Sequence, residues 1–224
     1  MDVALIIRPS GFAPDYVRAG EDALSQPLLI ATSNAGKLRE LRSLLIELPL
    51  ELLSLSDFPN IESVAETGAT FAENASLKAA GYARQARVLT LADDSGLVVD
   101  ALRGRPGVHS ARYVHPDASY PERIASLLGE LAGVSEPNRT ARFVCAMNVA
   151  SDAGELVFAA EKSCDGRIAA GPRGTGGFGY DPIFVPDGFD QTFAELSAEV
   201  KNRIGHRGIA LAEVREFLHS LTGL

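Results

Sequence analysis

The run Val88-Leu89-Thr90-Leu91-Ala92 is apolar and partly β-branched, and Asp93-Asp94-Ser95-Gly96 follows it without a break. Such a run reads as a strand buried on both faces, the kind found where helices cover a sheet. The polar tetrad behind it reads as a tight turn where the strand leaves the sheet. Open α/β sheets take their ligands in the crevice beyond the carboxyl ends of their strands. Two adjacent carboxylates at such a place repel each other unless a cation or a proton relieves them. The pair therefore has two readings: a turn that caps the next element, or a site for a hard cation such as Mg²⁺ that also touches a substrate phosphate.

Other segments fit an alternating pattern of strands and helices. Residues 1–26 mix Pro9, Gly11, Pro14 and Gly20 with scattered charge and show no period, so they read as an extension, in part disordered. Leu5-Ile6-Ile7 is too short for a secretory core, and an acidic Asp2 precedes it. The domain proper is expected over 27–224. Leu28 to Ala31 is a first strand, and leucines 38, 41, 44, 45 and 48 repeat at helical spacing. Between them Thr32-Ser33-Asn34-Ala35-Gly36-Lys37 forms a loop into a helix N-terminus, where free amides, the dipole and Lys37 favour an anion. It is not a Walker loop, since the early glycine is missing and Leu38 follows the lysine. Leu50 to Leu55 reads as a second strand. Phe71 to Ala86 reads as a helix, capped by Thr70 with Glu73 in a capping box. Asn74 and Lys78 share one face of it, which spacing alone assigns to solvent. Glu66, just upstream, is either a surface charge or a second carboxylate for the Asp93-Asp94 site.

Further on, Leu97 to Leu102 reads as a short apolar element and His109 to Tyr113 as a loop. Neither His109 nor His115 has a ligand spacing. Tyr120 to Leu131 reads as a helix, and Arg139 to Ala150 with Glu155 to Lys162 as a hairpin. Between Gly171 and Gly179 five glycines surround Phe178, with Tyr180 next along. Such a segment allows backbone to approach a ligand closely while the two rings offer flat faces to a base. Ile183 to Val185 is a short strand, Glu195 to Lys201 a helix, 202–208 a loop and Ile209 to Leu221 the last helix. Lys201, Arg203, His206 and Arg207 gather positive charge in a chain whose formal net charge is −8. That acidic balance disfavours general nucleic-acid binding. No apolar run approaches the roughly 18 residues of a membrane span. Cys145 and Cys164 fit no metal spacing and read as buried reduced thiols, as in a cytoplasmic enzyme.

Taken in order, TSNAGK (32–37), ETG (66–68), FAENASLKA (71–79), ADDSG (92–96), PGVHSARY (106–113), GGFGYDP (176–182) and KNRIGHRG (201–208) resemble the inosine/xanthosine triphosphate pyrophosphatases. The likeness runs from Leu28 to Leu221. It implies an elongated mixed α/β fold with two lobes about a central cleft, a homodimer, and Mg²⁺-dependent hydrolysis of deaminated purine nucleoside triphosphates to monophosphate and pyrophosphate. By the same resemblance Thr32, Ser33, Asn34, Ala35, Gly36 and Lys37 form the phosphate-binding loop. Asp94 is proton acceptor and metal ligand, and Glu66 the second acidic metal position. Ser95 and Lys78 meet the substrate, Phe178, Gly179, Tyr180 and Asp181 bind the base, and Lys201, His206 and Arg207 are late contacts. Three positions depart from the family pattern: Ser33, His109, and Gly205 where serine usually precedes His-Arg. Competing readings are a pyrophosphatase for modified pyrimidine nucleotides and a non-catalytic nucleotide-binding module. An Asp-x-Asp phosphatase is ruled out, because Ser95 or Gly96 would fall on its second aspartate.

Overall fold

Six stretches of the chain pair into one mixed sheet in a computed structural model that describes residues 26–222. The extension expected over 1–26 lies outside the described residues except for Gln26, which opens the first strand. In chain order the strands are β1 (Gln26–Ile30), β2 (Leu50–Ser54), β3 (Leu89–Val99), β4 (Thr140–Ala150), β5 (Leu156–Ile168) and β6 (Phe184–Pro186). The order across the sheet is β2-β1-β3-β4-β5-β6. β1 runs parallel to β2 and β3, and the β3–β4, β4–β5 and β5–β6 pairs are antiparallel. The helices are α1 (Ala35–Leu45), α2 (Phe71–Ala86), α3 (Tyr120–Glu130), α4 (Ala198–Ile204) and α5 (His206–Thr222).

The largest departure from the sequence reading concerns β3. Asp93, Asp94, Ser95 and Gly96 are not a turn; they lie in the middle of an eleven-residue strand and pair with Met147, Ala146, Cys145 and Val144 of β4. The parallel pairing with β1 ends at Ile30↔Leu91, so from Ala92 onward β3 keeps β4 on one edge, and its other edge meets no strand, only an isolated bridge between Val98 and Pro106. The chain turns away at the end of β1 instead. The crevice beyond a strand's carboxyl end thus belongs to β1, and β3 forms its floor.

This one strand serves two cores. Leu89 and Leu91 pack in a cluster with leucines of α1 and with Leu211, Val214 and Leu218 of α5. Leu97 and Val99 pack in another with Ile124 and Leu127 of α3 and with Phe184 and Phe193. The polar residues sit between these two clusters. α2 covers the opposite face from α1 and α5 with Ala79, Tyr82 and Ala83 near the first core and Phe71 and Ala75 against Val144 and Ala146.

Smaller shifts have local causes. Ser197 accepts from the Val200 N–H at 3.3 Å and so starts α4 at Ala198 rather than Glu195. Gly205 closes α4 in an extended conformation, and its carbonyl accepts from Ile209, so α5 begins at His206 and the expected 202–208 loop is two abutting helix ends. Thr70 caps α2 as expected, but the Glu73 carboxylate takes the N–H of Ala69, not that of Thr70. Both cysteines are free and buried, and burial pushes the Cys145 thiol up to about 12.

Candidate active site

Side chains alternate across a strand. Asp93 and Ser95 therefore face α1 and α5, and Asp94 faces α2. On the first face Lys37 Nζ lies 3.0 Å from Asp93, and Arg207 Nε lies 3.5 Å from the same oxygen. Arg207 also donates to Ser95 Oγ at 2.8 Å and to Glu40 at 2.6 Å. Lys201 donates to Glu40 at 2.7 Å and to Asp181 at 2.6 Å. On the second face Asn74 donates to Asp94 Oδ2 at 3.1 Å, and Lys78 lies 3.3 Å from Oδ1. The same ammonium donates to Glu66 Oε1 at 2.9 Å, and Arg112 donates to Glu66 Oε2 at 3.0 Å. Asn74 and Lys78 are buried, which overturns their assignment to solvent: Asp94 behind them makes a buried cation on α2 favourable.

Of these residues all but Glu40, Asn74 and Asp93 border a cavity of about 490 Å³, within the range of small-molecule sites. Thr32, Ser33, Asn34 and Lys37 form one wall, Glu66, Lys78 and Arg112 another, and Phe178 to Asp181 with Lys201, His206 and Arg207 a third. Asp94 and Ser95 lie between them. Of the residues the motifs mark, Ala35 and Gly36 do not border the cavity. The loop's amides are less free than expected, because Asn34 Oδ1 accepts from Gly36 and Lys37, and Thr32 Oγ1 from Asn34. Lys37 remains as the main attraction for an anion there.

Phe178 is half-buried and lies over Gly36, where a Cβ would stand 2.8 Å from its ring. Lys201 Nζ is 4.8 Å and Arg207 Cζ 5.5 Å from its centroid. Tyr180 does not present a face in the same way. Its ring is buried, edge-on to Tyr120, with its hydroxyl donating to the Ser110 carbonyl at 3.1 Å. His206 stacks on Phe143 with 4.7 Å between centroids, and its buried Nδ1 has no partner.

The electrostatics separate the two aspartates. Burial opposes ionisation of Asp93, but Lys37, Arg207 and Lys78 outweigh it and hold the carboxyl well below the usual range. Burial raises Asp94 above its ordinary value, Lys78 and Lys37 offset only part of that, and Glu66 adds to it. Glu40, opposed by burial, is held low by Arg207 and Lys201. Burial, with Arg207 and Lys201, drives His206 well below the ordinary imidazole value, so it is neutral. Asp93 is thus a fixed anion that anchors two cations, and Asp94 is the carboxylate suited to take up a proton.

Glu40 and Arg112 join the site without a role in the motifs. Glu40 did leave a signal, since it follows Lys37 by one helical turn beside the buried Leu41. Arg112 lay inside the PGVHSARY motif, but its role was not legible there, because it meets Glu66 only across the cavity. Among the described residues no group of three or more His, Cys, Asp or Glu side chains is placed to share a metal. Glu66 and Asp94 still fit Mg²⁺, which is commonly held by one or two carboxylates, water and substrate phosphates. Both already converge on a single cation, Lys78 Nζ.

A sequence model of the Ham1 family matches residues 28–217. The dITP/XTP pyrophosphatase of Geobacillus kaustophilus is 52% identical over 196 residues, 88% of this chain and 96% of that protein. The enzyme of the same name from Geobacter sulfurreducens is 50% identical over 192 residues, 85% and 96% of the two chains. Among solved structures, a HAM1 protein from Coxiella burnetii superposes with a TM-score of 0.79 at 37% identity, covering 87% of this chain and 99% of that one. The matched span holds the whole sheet from Leu28 onward and every residue described around the cavity, and on that basis this chain belongs to the Ham1 family.

Proposed function

We propose that this protein hydrolyses deaminated purine nucleoside triphosphates (ITP, dITP and XTP) to the monophosphate and pyrophosphate, and so clears them before they enter DNA or RNA. One observation carries the chemistry: Asp94, raised by burial, stands on the floor of the cavity within reach of Lys78 and Glu66. The names of the relatives above support the substrate class.

The triphosphate lies against Lys37 and Lys78, whose charges offset those of the phosphates. Glu66 and Asp94 would hold Mg²⁺, which when bound supplies charge neutralisation at the phosphates and a more acidic water. A water oxygen attacks the α-phosphorus, its proton passes to Asp94, and the bond to the β-phosphate oxygen breaks to release pyrophosphate. Positioning and fixed charge do most of the work in such a reaction. The purine lies against Phe178, near Lys201, His206 and Arg207. Lys201 and Arg207 are donors only, so a 6-oxo group can accept from this wall, whereas the 6-amino group of adenine would be left unpaired. Homodimer assembly, on the sequence resemblance, and a cytoplasmic setting, on the reading of Cys145 and Cys164 as reduced thiols, belong to the same proposal.

The test is pyrophosphate release from ITP, XTP, GTP and ATP, with Mg²⁺ and with EDTA. Mg²⁺-dependent release from ITP and XTP, with little from GTP or ATP, is expected; guanine also carries a 6-oxo group, so its rejection works at the 2-position. Release of single phosphate, or equal use of all four nucleotides, would overturn the reading.

A further inference from the structure

Each cation around the cavity already has a carboxylate. Lys37 pairs with Asp93, Lys78 with Glu66 and Asp94, Arg112 with Glu66, Lys201 with Glu40 and Asp181, and Arg207 with Glu40 and Asp93. Five cations thus face five carboxylates, and the site carries no surplus charge to draw in a bare metal ion or a bare triphosphate. Within it, Lys78 Nζ occupies the point where Glu66 and Asp94 converge, 2.9 and 3.3 Å from their oxygens. An ammonium and a divalent cation cannot share that point, because both need the same oxygens and repel each other in a buried setting.

We propose that Lys78 holds the divalent-cation position between Glu66 and Asp94, so that the metal is admitted only as Lys78 transfers to the substrate phosphates, and metal and nucleotide load cooperatively. This rests on the reading of Glu66 and Asp94 as metal ligands. The lysine stem is long and flexible enough to turn from one anion to another. A metal–triphosphate complex supplies both halves of the exchange: phosphate oxygens for the displaced ammonium and a cation for the two carboxylates. Arg112, the second cation on Glu66, holds the other oxygen of that carboxylate at 3.0 Å. Because binding couplings are reciprocal, whatever the nucleotide does for the metal, the metal does for the nucleotide.

The test titrates Mn²⁺ into the full-length protein, with the free aquo ion followed by electron paramagnetic resonance, with and without the α,β-imido analogue of ITP. The wild type is expected to bind Mn²⁺ weakly alone and about tenfold or more tightly with the analogue, a common size for such coupling. Lys78→Met should bind Mn²⁺ about tenfold more tightly than the wild type without the analogue and gain little from adding it. Equal or weaker Mn²⁺ binding by a folded Lys78→Met, with the wild type still binding in the presence of the analogue, overturns the exchange and leaves the metal ligands standing. Should circular dichroism show Lys78→Met unfolded, Lys78→Gln decides instead: tighter Mn²⁺ binding alone supports the exchange, and equal or weaker binding overturns it. Mn²⁺ bound by none of these proteins, even with the analogue, removes Glu66 and Asp94 as metal ligands and the exchange with them.

Discussion

Asp93 and Asp94 are neighbours in sequence and opposites in chemistry, because a strand sends them to different faces. Asp93 meets Lys37 and Arg207 and has no exposed side-chain surface; Asp94 meets Asn74 and Lys78 and opens to the cavity. Replacing Asp94 by Asn keeps the shape and removes the proton acceptor, so kcat should fall by about 10²–10⁴-fold with little change in Tm. Undiminished turnover in that variant would take Asp94 out of the mechanism. Glu40 tests a different role, since it holds Lys201 and Arg207 together behind Phe178. Glu40→Ala leaves two buried cations short of a partner and should cost about 2–3 kcal/mol, somewhat under a fully buried pair. Its KM for ITP should rise more than its kcat falls, and urea unfolding together with steady-state kinetics would read both. The adjacent acids were legible in the sequence as a site. Only the resemblance singled out Asp94; the residues' own pattern did not divide their labour, because the turn expected there would have sent both to the same crevice.

At the scale of elements, the start of α1 sets the phosphate wall. Asn34 accepts from the Gly36 and Lys37 amides, and Gly36 lets the Phe178 ring lie against the first turn. Asn34→Ala should lower stability by about 1 kcal/mol, the usual worth of such a cap, and raise KM for the triphosphate. Chemical denaturation and kinetics would check the two effects, and an unchanged KM would show that the loop does not bear on the phosphates. On β3, Gly96 permits the close approach of the 3₁₀ turn Gly107–Arg112, since a Cβ there would stand 2.4 Å from Ser110 Oγ and 2.6 Å from the Gly107 carbonyl. That approach carries Arg112 to Glu66. Hydrophobic period and cap residues marked α2 and α3 to within a residue, and α1, which runs Ala35–Leu45, to within about three at each end. They failed at the β3 centre and at the start of α5, where long-range pairing and the abutment of α4 outweighed local polarity and a local glycine.

For the whole molecule, buried charge makes stability depend on pH. His206 is neutral when folded, with its folded-state value well below the ordinary 6.5. The unfolded chain therefore binds the extra proton first, and this contribution, full above pH 6.5, is lost as pH falls through that value toward the folded one. Glu40 is held below 4.5, so its contribution is full above pH 4.5 and lost as pH falls beneath it, with Asp93 acting in the same sense. Asp94 and Asp181, raised by burial, act in the opposite sense, and their protonation in acid offsets part of the loss. Tm should decline gently from about pH 6.5 and more steeply below about 4.5, and His206→Asn should abolish only the gentle stage. A gentle stage that persists in His206→Asn would assign it to another group. By itself the sequence determined the strands, most helices, the phosphate-loop, acidic and late basic segments, and through their order the family, because those signals lie in contiguous residues. Only the tertiary structure decided that the Asp-Asp segment is strand rather than turn, that Lys78 is buried between two carboxylates, and that Glu40 and Arg112 belong to the site. Each of those depends on what a distant segment brings opposite: β4 alongside β3, α5 against α1, and Arg112 across the cavity from Glu66. Local periodicity carries no record of a partner that the chain meets only after it has folded.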